Sequence, residues 1–452
     1  LRLCAFASLR YVFSVQTPKG NPMTPTLIIL AGGASSRMWP LREKSLLRFG
    51  TEPLLLNQLR RYQALGLTDV IIVGSPSNET ELTTLISGIS GVNARMVVQH
   101  EPRGMGDAIL AAITAIPDPA NTAVYVTQVH DVTDDQLHLD MLAAHRAQPH
   151  HTYLAGYQHE TYFPGGYLMV TPDDRITGII EKPGADNRPS DLVTIVAHIH
   201  ANAAALFAAI RAEYARTIST DDHYERAMSG LMTAHEYHVV RYRGSWVALK
   251  YPWHVLDVMN AFLSKIQGQH IAESAYIAKT AAIIGDVYIA ENVKVFPGAA
   301  VVGPAFIGAG TIIGNNALVR ASMVLNNCEV GFTTEIARSY VADHVSMHAC
   351  RVLDSVFGSR VNFSAGCTTA NLRIDRGYVP TMIKGQRINS GRDKFGAVIG
   401  QGAFLGVDVM TMPGVKIGEF AEIGPGTHVH KDIGDNMRAY VKQEIIVVEK
   451  DR

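Results

Sequence analysis

Ile271-Ala-Glu-Ser-Ala-Tyr-Ile277-Ala-Lys-Thr-Ala-Ala-Ile283-Ile-Gly-Asp-Val-Tyr-Ile289-Ala-Glu-Asn-Val-Lys-Val295 carries an aliphatic residue at every sixth position. The column continues through Val301, Ile307, Ile313, Val319 and Leu325, giving ten apolar residues in ten positions, nine of them β-branched. With about half of all positions apolar, such a run arises by chance on the order of once in a thousand. A small residue often follows, as at Ala272, Ala278, Ala290, Gly308 and Gly314. A second column, Ile399, Leu405, Thr411, Ile417, Ile423 and Val429, breaks only at Thr411. A period of six predicts short strands joined by tight corners, with each aliphatic side chain pointing into a shared core. This is the signature of a parallel β-helix. Gly285, Asn292, Gly298, Gly310, Asn315, Gly402 and Gly426 are expected at corners, where these residue types tolerate a positive φ.

The rhythm is lost between Asn371 and Ile399, in a stretch that carries Arg373, Arg376, Lys384, Arg387, Arg392 and Lys394. Two readings stay open. The stretch is a solvated excursion from the coil, or it is an arm that meets an anionic ligand such as a coenzyme A phosphate.

Upstream the period changes. Thr26-Leu-Ile-Ile-Leu-Ala, Asp69-Val-Ile-Ile-Val-Gly74, Arg95-Met-Val-Val-Gln and Ala123-Val-Tyr-Val-Thr are short apolar runs, with helical spacing over Leu54 to Leu65 and Gly106 to Ile116 between them. Strand–helix alternation with continuous apolar strands predicts a mostly parallel sheet covered on both faces. Ligands of such sheets bind beyond the carboxyl ends of the strands.

A length of 452 residues suits two or three domains at about 100–200 residues each. We expect a domain over 23–264 and a β-helix over 265–445. Residues 1–22 read as a leader outside the native fold, with Met23 just before the first strand. Lys plus Arg is 40 against 41 for Asp plus Glu, which excludes a broad basic face for nucleic acid. No apolar run reaches the roughly 18–20 residues of a membrane helix. The four cysteines, Cys4, Cys328, Cys350 and Cys367, form no CxxC pair, and reduced thiols of a cytoplasmic protein are expected.

The loop after the first strand reads Leu30-Ala-Gly-Gly-Ala-Ser-Ser-Arg-Met-Trp-Pro-Leu41. Its small residues let backbone N–H groups approach a phosphate. Arg37 offers a bidentate fork and Lys44 a second cation. Two cations beside such a loop suit attack of one phosphate on another, where catalysis is mostly positioning and electrostatics. The loop is not a Walker A motif, because no Gly-Lys-Ser/Thr follows. It also lacks the spacing of the dinucleotide fingerprint.

The string resembles the opening of nucleotidyltransferases that make nucleoside-diphosphate sugars, matching at Leu30, Ala31, Gly33, Arg37, Met38, Pro40 and Leu41. Ser35 replaces the family's second glycine, and Lys44 lacks the usual preceding proline. Further pieces follow in the family's order. Gln99-His-Glu-Pro-Arg-Gly104-Met-Gly106-Asp107 is similar to the base-reading loop; taken alone it also reads as a helix start with Asp107 in the first turn. Val129-His130-Asp131 is similar to a Gly-Asp motif whose carboxylate binds Mg²⁺, with His130 in place of glycine. Phe163-Pro-Gly165-Gly166-Tyr167 and Glu181-Lys182-Pro183 resemble the sugar and sugar-phosphate contacts.

The resemblance implies a Rossmann-like α/β domain with a mixed, mostly parallel sheet. It makes Arg37 and Lys44 catalytic. Ala31, Gly32, Gly33, Gln99, Gly104 and Met105 would bind UTP or dTTP; Gly166, Glu181 and Lys182 would bind the sugar phosphate. Asp131 would be the magnesium ligand. In Trp246-Val-Ala-Leu-Lys-Tyr-Pro-Trp253-His254-Val-Leu-Asp257, His254 stands where a second metal carboxylate is often found. Asp257, one turn on, is the candidate second ligand or an exposed helix residue.

The six-residue repeat resembles the left-handed β-helix acyltransferases and their non-catalytic relatives, which usually assemble as trimers with the active site between subunits. The stretch from Asp343 to Arg373 resembles the acetyltransferase half of bifunctional sugar-1-phosphate enzymes. That resemblance places the catalytic base on His348 and a substrate contact on Asn371, with acetyl-CoA as co-substrate. Arg351 stands where the family has tyrosine. A histidine suits proton removal from an amine near neutral pH; the competing reading is a structural, hydrogen-bonded side chain. Three functions are weighed: a bifunctional enzyme, a nucleotidyltransferase whose β-helix serves oligomerisation or regulation, and a non-catalytic scaffold, which His130 and His254 favour.

Overall fold

The computed structural model describes residues 24–33, 35–41, 43–216 and 222–449, so Cys4 and the leader expected over 1–22 lie outside the described residues. The first sheet runs in the order Ile176–Glu181, Gly166–Val170, Leu192–His200, Val124–Gln128, Thr26–Leu30, Asp69–Gly74 and Asn93–Val98. Thr26–Leu30 lies parallel between Val124–Gln128 and Asp69–Gly74, and Asn93–Val98 continues the parallel set. Leu27, Ile28, Ile29, Val70 to Val73 and Val124 to Val126 are fully buried, because helices cover both faces. Antiparallel pairing enters with Leu192–His200, which joins Val124–Gln128 to Thr152–Gln158 and touches Gly166–Val170. Tyr237–Tyr242 closes that edge, parallel to Thr152–Gln158. The sheet is therefore mixed, with its all-parallel half under the glycine loop.

The helix Leu54–Ala64 buries Leu54, Leu55, Leu59 and Tyr62 and ends before Gly66 at φ 86°. Helix His254–Leu263 is the last of this half, and strand Gln269–Ile271 opens the coil.

Three parallel sheets of eight, nine and eight strands form the walls of a prism. Gln269 pairs with Val287 and Val287 with Ala305, so each full turn uses three hexads. Ile289, Val295, Val301, Ile307, Ile313 and Val319 are buried in its core, as are all six members of the second column. Three expectations need correction. Ile271, on the first coil, is exposed, and Ile277 and Ile283 are only partly buried against the core. Ile307 pairs with Val324, so Val324 and not Leu325 holds the inward place. The corner at Ala321 (φ 47°) drops one residue from the hexad. The left-handed Asn is Asn316 (φ 57°), not Asn315.

The interruption is not a purely solvated excursion. It contains a hairpin, Pro380–Ile383 against Gln386–Asn389, turned by Lys384 (φ 49°) and Gly385 (φ 77°). Two successive positive φ values make the turn that matches strand twist. Val379, Ile383 and Phe395 from this stretch are buried in one cluster with Leu249, Trp253 and Leu256 of the first domain. Phe49 packs on both Phe262 (5.3 Å) and Tyr340 (5.6 Å), and the Tyr340 hydroxyl donates to the Arg48 carbonyl at 2.8 Å. The two halves thus share a core. Among the described residues no helix is long and apolar enough to cross a membrane.

Candidate functional site

The site is built at the carboxyl end of the parallel strands. Ala31 follows the first strand and is buried. Gly32 is required by packing, because a Cβ there would sit 2.7 Å from the Gly74 carbonyl oxygen. Gly33 is exposed, and a Cβ on it would meet nothing within 4 Å. Asn78 ties the loop down by donating to the Ala31 carbonyl (3.0 Å) and to Glu43 Oε2 (2.9 Å). Arg37 is exposed beyond it. Lys44 opens a single 3-10 turn, Lys44–Leu46. Burial lowers its pKa to about 8, against the pull of Asp131, while Arg37 and Lys250 lower it further.

Asp131 is held by a two-strand ladder, Asp131–Thr133 against Trp246–Ala248, in which it faces Ala248. The Trp246 indole donates to its Oδ1 at 3.0 Å. Burial raises its pKa, and Trp246, Lys250 and Lys44 oppose the rise. His130 is pushed well below the usual imidazole range by burial, with Lys44 and Lys250 adding to the effect. It is therefore a neutral ring.

Lys250 was not singled out by the sequence reading. Its ammonium lies 4.1 Å over the Phe163 ring and 3.5 Å from the Pro164 carbonyl oxygen. Burial lowers its pKa; Asp131 and Glu181 raise it, and Arg37 and Lys182 lower it. Lys44 and Lys250 therefore both act on Asp131, Lys250 also faces Glu181, and Arg37 lies in the field of both lysines. The available signal was a lone lysine in the apolar run Trp246 to Trp253.

In the loop expected to read the base, Gln99 is buried, and its amide donates to the Gly104 carbonyl and to Asp107 Oδ2, both at 3.0 Å. Gly104 (φ 92°) caps helix Met105–Ala112, and Asp107 in its first turn also accepts from Arg103 at 2.7 Å. The helix-start reading and the loop reading thus describe one structure. Met105 Sδ accepts from Gln128 at 3.2 Å. Among the residues expected to contact the sugar phosphate, Gly166 faces Glu181 across two strands, and a Cβ on it would lie 3.2 Å from Glu181 Oε2. Lys182 Nζ pairs with Glu181 Oε1 at 2.8 Å.

Asp257 is engaged by the other half of the chain. Its Oδ1 is 2.6 Å from Arg392 Nη1, an arginine of the β-helix interruption, so the carboxylate joins the two halves. His254 Nδ1 accepts the Lys250 N–H at 3.1 Å, and burial pulls its pKa down to about 4. Among the described residues no group of three or more His, Cys, Asp or Glu is arranged to hold a metal. A single carboxylate suits Mg²⁺ only as part of a nucleotide complex, in which phosphate oxygens and water complete the shell.

In the β-helix, Asn371 donates to Asp354 Oδ2 at 2.5 Å, and Arg338 grips both oxygens of Asp354 at 2.6 and 2.7 Å. His348 is exposed at a corner, close enough to the coil below that a Cβ on Gly331 would meet its Nδ1 at 2.7 Å. Its ring has no hydrogen-bond partner among the described residues. His348 follows strand Ser346–Met347 and Asn371 follows Thr368–Thr369, which belong to different walls. Within one chain the two are not brought together. Cys328, Cys350 and Cys367 are buried free thiols whose pKa values burial raises to about 12, 11 and 12.

Comparison with known proteins agrees with this layout. Residues 26–247 match the nucleotidyl transferase family. A bifunctional sugar-1-phosphate nucleotidylyltransferase/acetyltransferase of Sulfurisphaera tokodaii is 29% identical over 416 residues, covering 90% of this chain and 97% of that protein. The bifunctional protein GlmU of Methanococcus vannielii is 29% identical over 436 residues, 94% of this chain and 99% of its own length. GlmU of Methanococcus maripaludis is 31% identical over 287 residues, 63% of this chain and 68% of its own. With the glycine loop, the Asp131 ladder and the β-helix in one order, the chain belongs to the family of bifunctional sugar-1-phosphate nucleotidyltransferase/acetyltransferases.

Proposed function

We propose that the first domain, taken as 23–264, joins UTP or dTTP to a sugar-1-phosphate and releases pyrophosphate. The observation that carries this is the convergence of Lys44 and Lys250 on Asp131 at the strand ends, with Arg37 in the field of both lysines. The sugar-phosphate oxygen forms a bond to the α-phosphorus as the bond to the β-phosphate oxygen breaks, so no protein nucleophile is needed. Ala31, Gly32 and Gly33 bring backbone N–H groups to the triphosphate. Arg37 and Lys44 meet the charge that builds on the α- and β-phosphates. Gln99 and Gly104 line the base side with Met105, and Gly166, Glu181 and Lys182 receive the sugar phosphate. Asp131 would hold Mg²⁺, which when bound neutralises phosphate charge. Pyrophosphate release from each NTP with each sugar-1-phosphate tests the reading. An undiminished rate in Lys44→Ala refutes the role of that residue.

In the β-helix, taken as 265–445, His348 accepts the proton of an amino-sugar phosphate as its nitrogen displaces the thiol of acetyl-CoA, with Asn371 contacting the substrate. His348 and Asn371 sit on different walls, so the acetyl site is completed by a second copy in a trimer. Exposed Phe404, Met410 and Phe420 on the last coils supply apolar surface for that contact. Thiol release from acetyl-CoA with glucosamine-1-phosphate tests this half. A chain that releases pyrophosphate but no thiol is a transferase whose β-helix serves assembly or regulation. Buried, protonated thiols support a cytoplasmic setting.

A further inference from the structure

The basic interruption of the coil has a destination that nothing above uses. Its hairpin tip, Met382-Ile383-Lys384-Gly385, forms one wall of a crevice of about 290 Å³ whose opposite wall is Ser36, Arg37 and Trp39. Lys416 and Asp432 of the last coils close it. The acids are occupied by neighbours. Asp432 lies 3.4 Å from Lys416 Nζ and accepts the Lys416 N–H at 2.9 Å. Asp435, just beyond, accepts from Trp39 Nε1 and from the Glu419 N–H, both at 2.8 Å. Lys416 Nζ is further committed to the Trp39 ring face at 4.5 Å. Two cations remain, one from each domain: Arg37 and Lys384, neither with an ion-pair partner among the described residues. Arg37 also lies in the field of Lys44 and Lys250, so the crevice continues the cationic group around Asp131.

We propose that this crevice receives the departing pyrophosphate, and that Lys384, delivered by the β-helix hairpin, is a direct ligand of that group. The proposal rests on the nucleotidyl-transfer reading above. As the bond between the α-phosphorus and the bridging oxygen breaks, the electron pair stays with the diphosphate, and Arg37 and Lys384 meet that charge from opposite walls. The nucleotide site is then complete only with the C-terminal domain in place.

Lys384→Asn in the full chain tests this. The turn tolerates it, because Asn-Gly is a preferred pair for two positive φ values. Calorimetric titration of inorganic pyrophosphate, with acetyl-CoA titrated in parallel, reads the contact without turnover. The expected result is about tenfold weaker pyrophosphate binding, the scale of one exposed charge-assisted contact. Acetyl-CoA binding is unchanged, Lys384→Arg restores affinity, and Arg387→Gln on the same hairpin binds like the parent. Equal pyrophosphate affinity in Lys384→Asn and parent, no binding by either, or a loss confined to acetyl-CoA overturns the proposal. Failure of the parent chain to release pyrophosphate from any NTP removes the wider reading instead, and the binding comparison still decides Lys384.

Discussion

Trp39 and Asp435 lie 396 positions apart, and the Trp39 indole donates to Asp435 Oδ1 at 2.8 Å. Trp39 is two residues from Arg37, so the β-helix braces the loop that carries the arginine proposed to act in nucleotidyl transfer. Asp435 also accepts the Glu419 N–H, which means that removing the acid would disturb the coil as well. Trp39→Phe is the cleaner change. It keeps a ring under Lys416 and deletes only the donor. We expect a stability loss of about 1 kcal/mol, the size of one hydrogen bond, read as a lower urea midpoint. The KM for NTP rises while the KM for sugar-1-phosphate stays, because only the phosphate loop loosens.

Lys44 gives a pH dependence with a definite sign. Burial holds its pKa at about 8, below the ordinary 10.5. In the role proposed for Lys44 the cation is the active form, so kcat/KM for NTP is expected to fall as pH rises through about 8 in the free enzyme. Lys44→Arg keeps its charge across that range, and its profile stays level where the parent's declines. Stability moves the other way. Between about 8 and 10.5 the unfolded chain holds the Lys44 proton and the folded chain does not, so this residue makes stability rise with pH.

Much of this fold was legible because spacing is local. A residue every six positions faces the coil axis whatever the rest of the chain does, so Ile289 to Val319 were placed from the sequence. The slip from Leu325 to Val324 was not legible, because the corner that shortens uses Ala321 at a positive φ, where composition suggests nothing unusual. The phosphate loop was legible as a string of small residues and an arginine. Asp257 was not, because its partner Arg392 comes from the other domain. The hairpin at 380–389 was hidden for the same reason: its charge pattern says basic loop, and only tertiary packing decides what it faces.

Lys250 belongs to the same class of hidden residues, and its removal is informative. Its ammonium is near Asp131 and Glu181 and shares the site with Arg37 and Lys44. Lys250→Met keeps an unbranched apolar stem and deletes the ammonium that lies over Phe163. We expect kcat/KM for NTP to fall about tenfold to a hundredfold, the scale of one to two charge-assisted contacts. Thermal stability holds or improves, because an ammonium that burial penalises is gone. Steady-state kinetics beside a thermal melt separates this outcome from simple unfolding, which would lower both.

Thr411 is the one polar member of the second inward column. It is fully buried opposite Thr369, and its hydroxyl has no hydrogen-bond partner among the described residues. Thr369 differs: its hydroxyl accepts the Leu353 N–H at 2.8 Å and a proton from the Ser355 hydroxyl at 3.0 Å. A buried hydroxyl with no partner costs about 1–3 kcal/mol of desolvation, and valine fills nearly the same volume. Thr411→Val should therefore stabilise the chain by about 1 kcal/mol, seen as a higher urea midpoint at an unchanged slope. Thr369→Val should do the opposite, because it strands the Leu353 N–H.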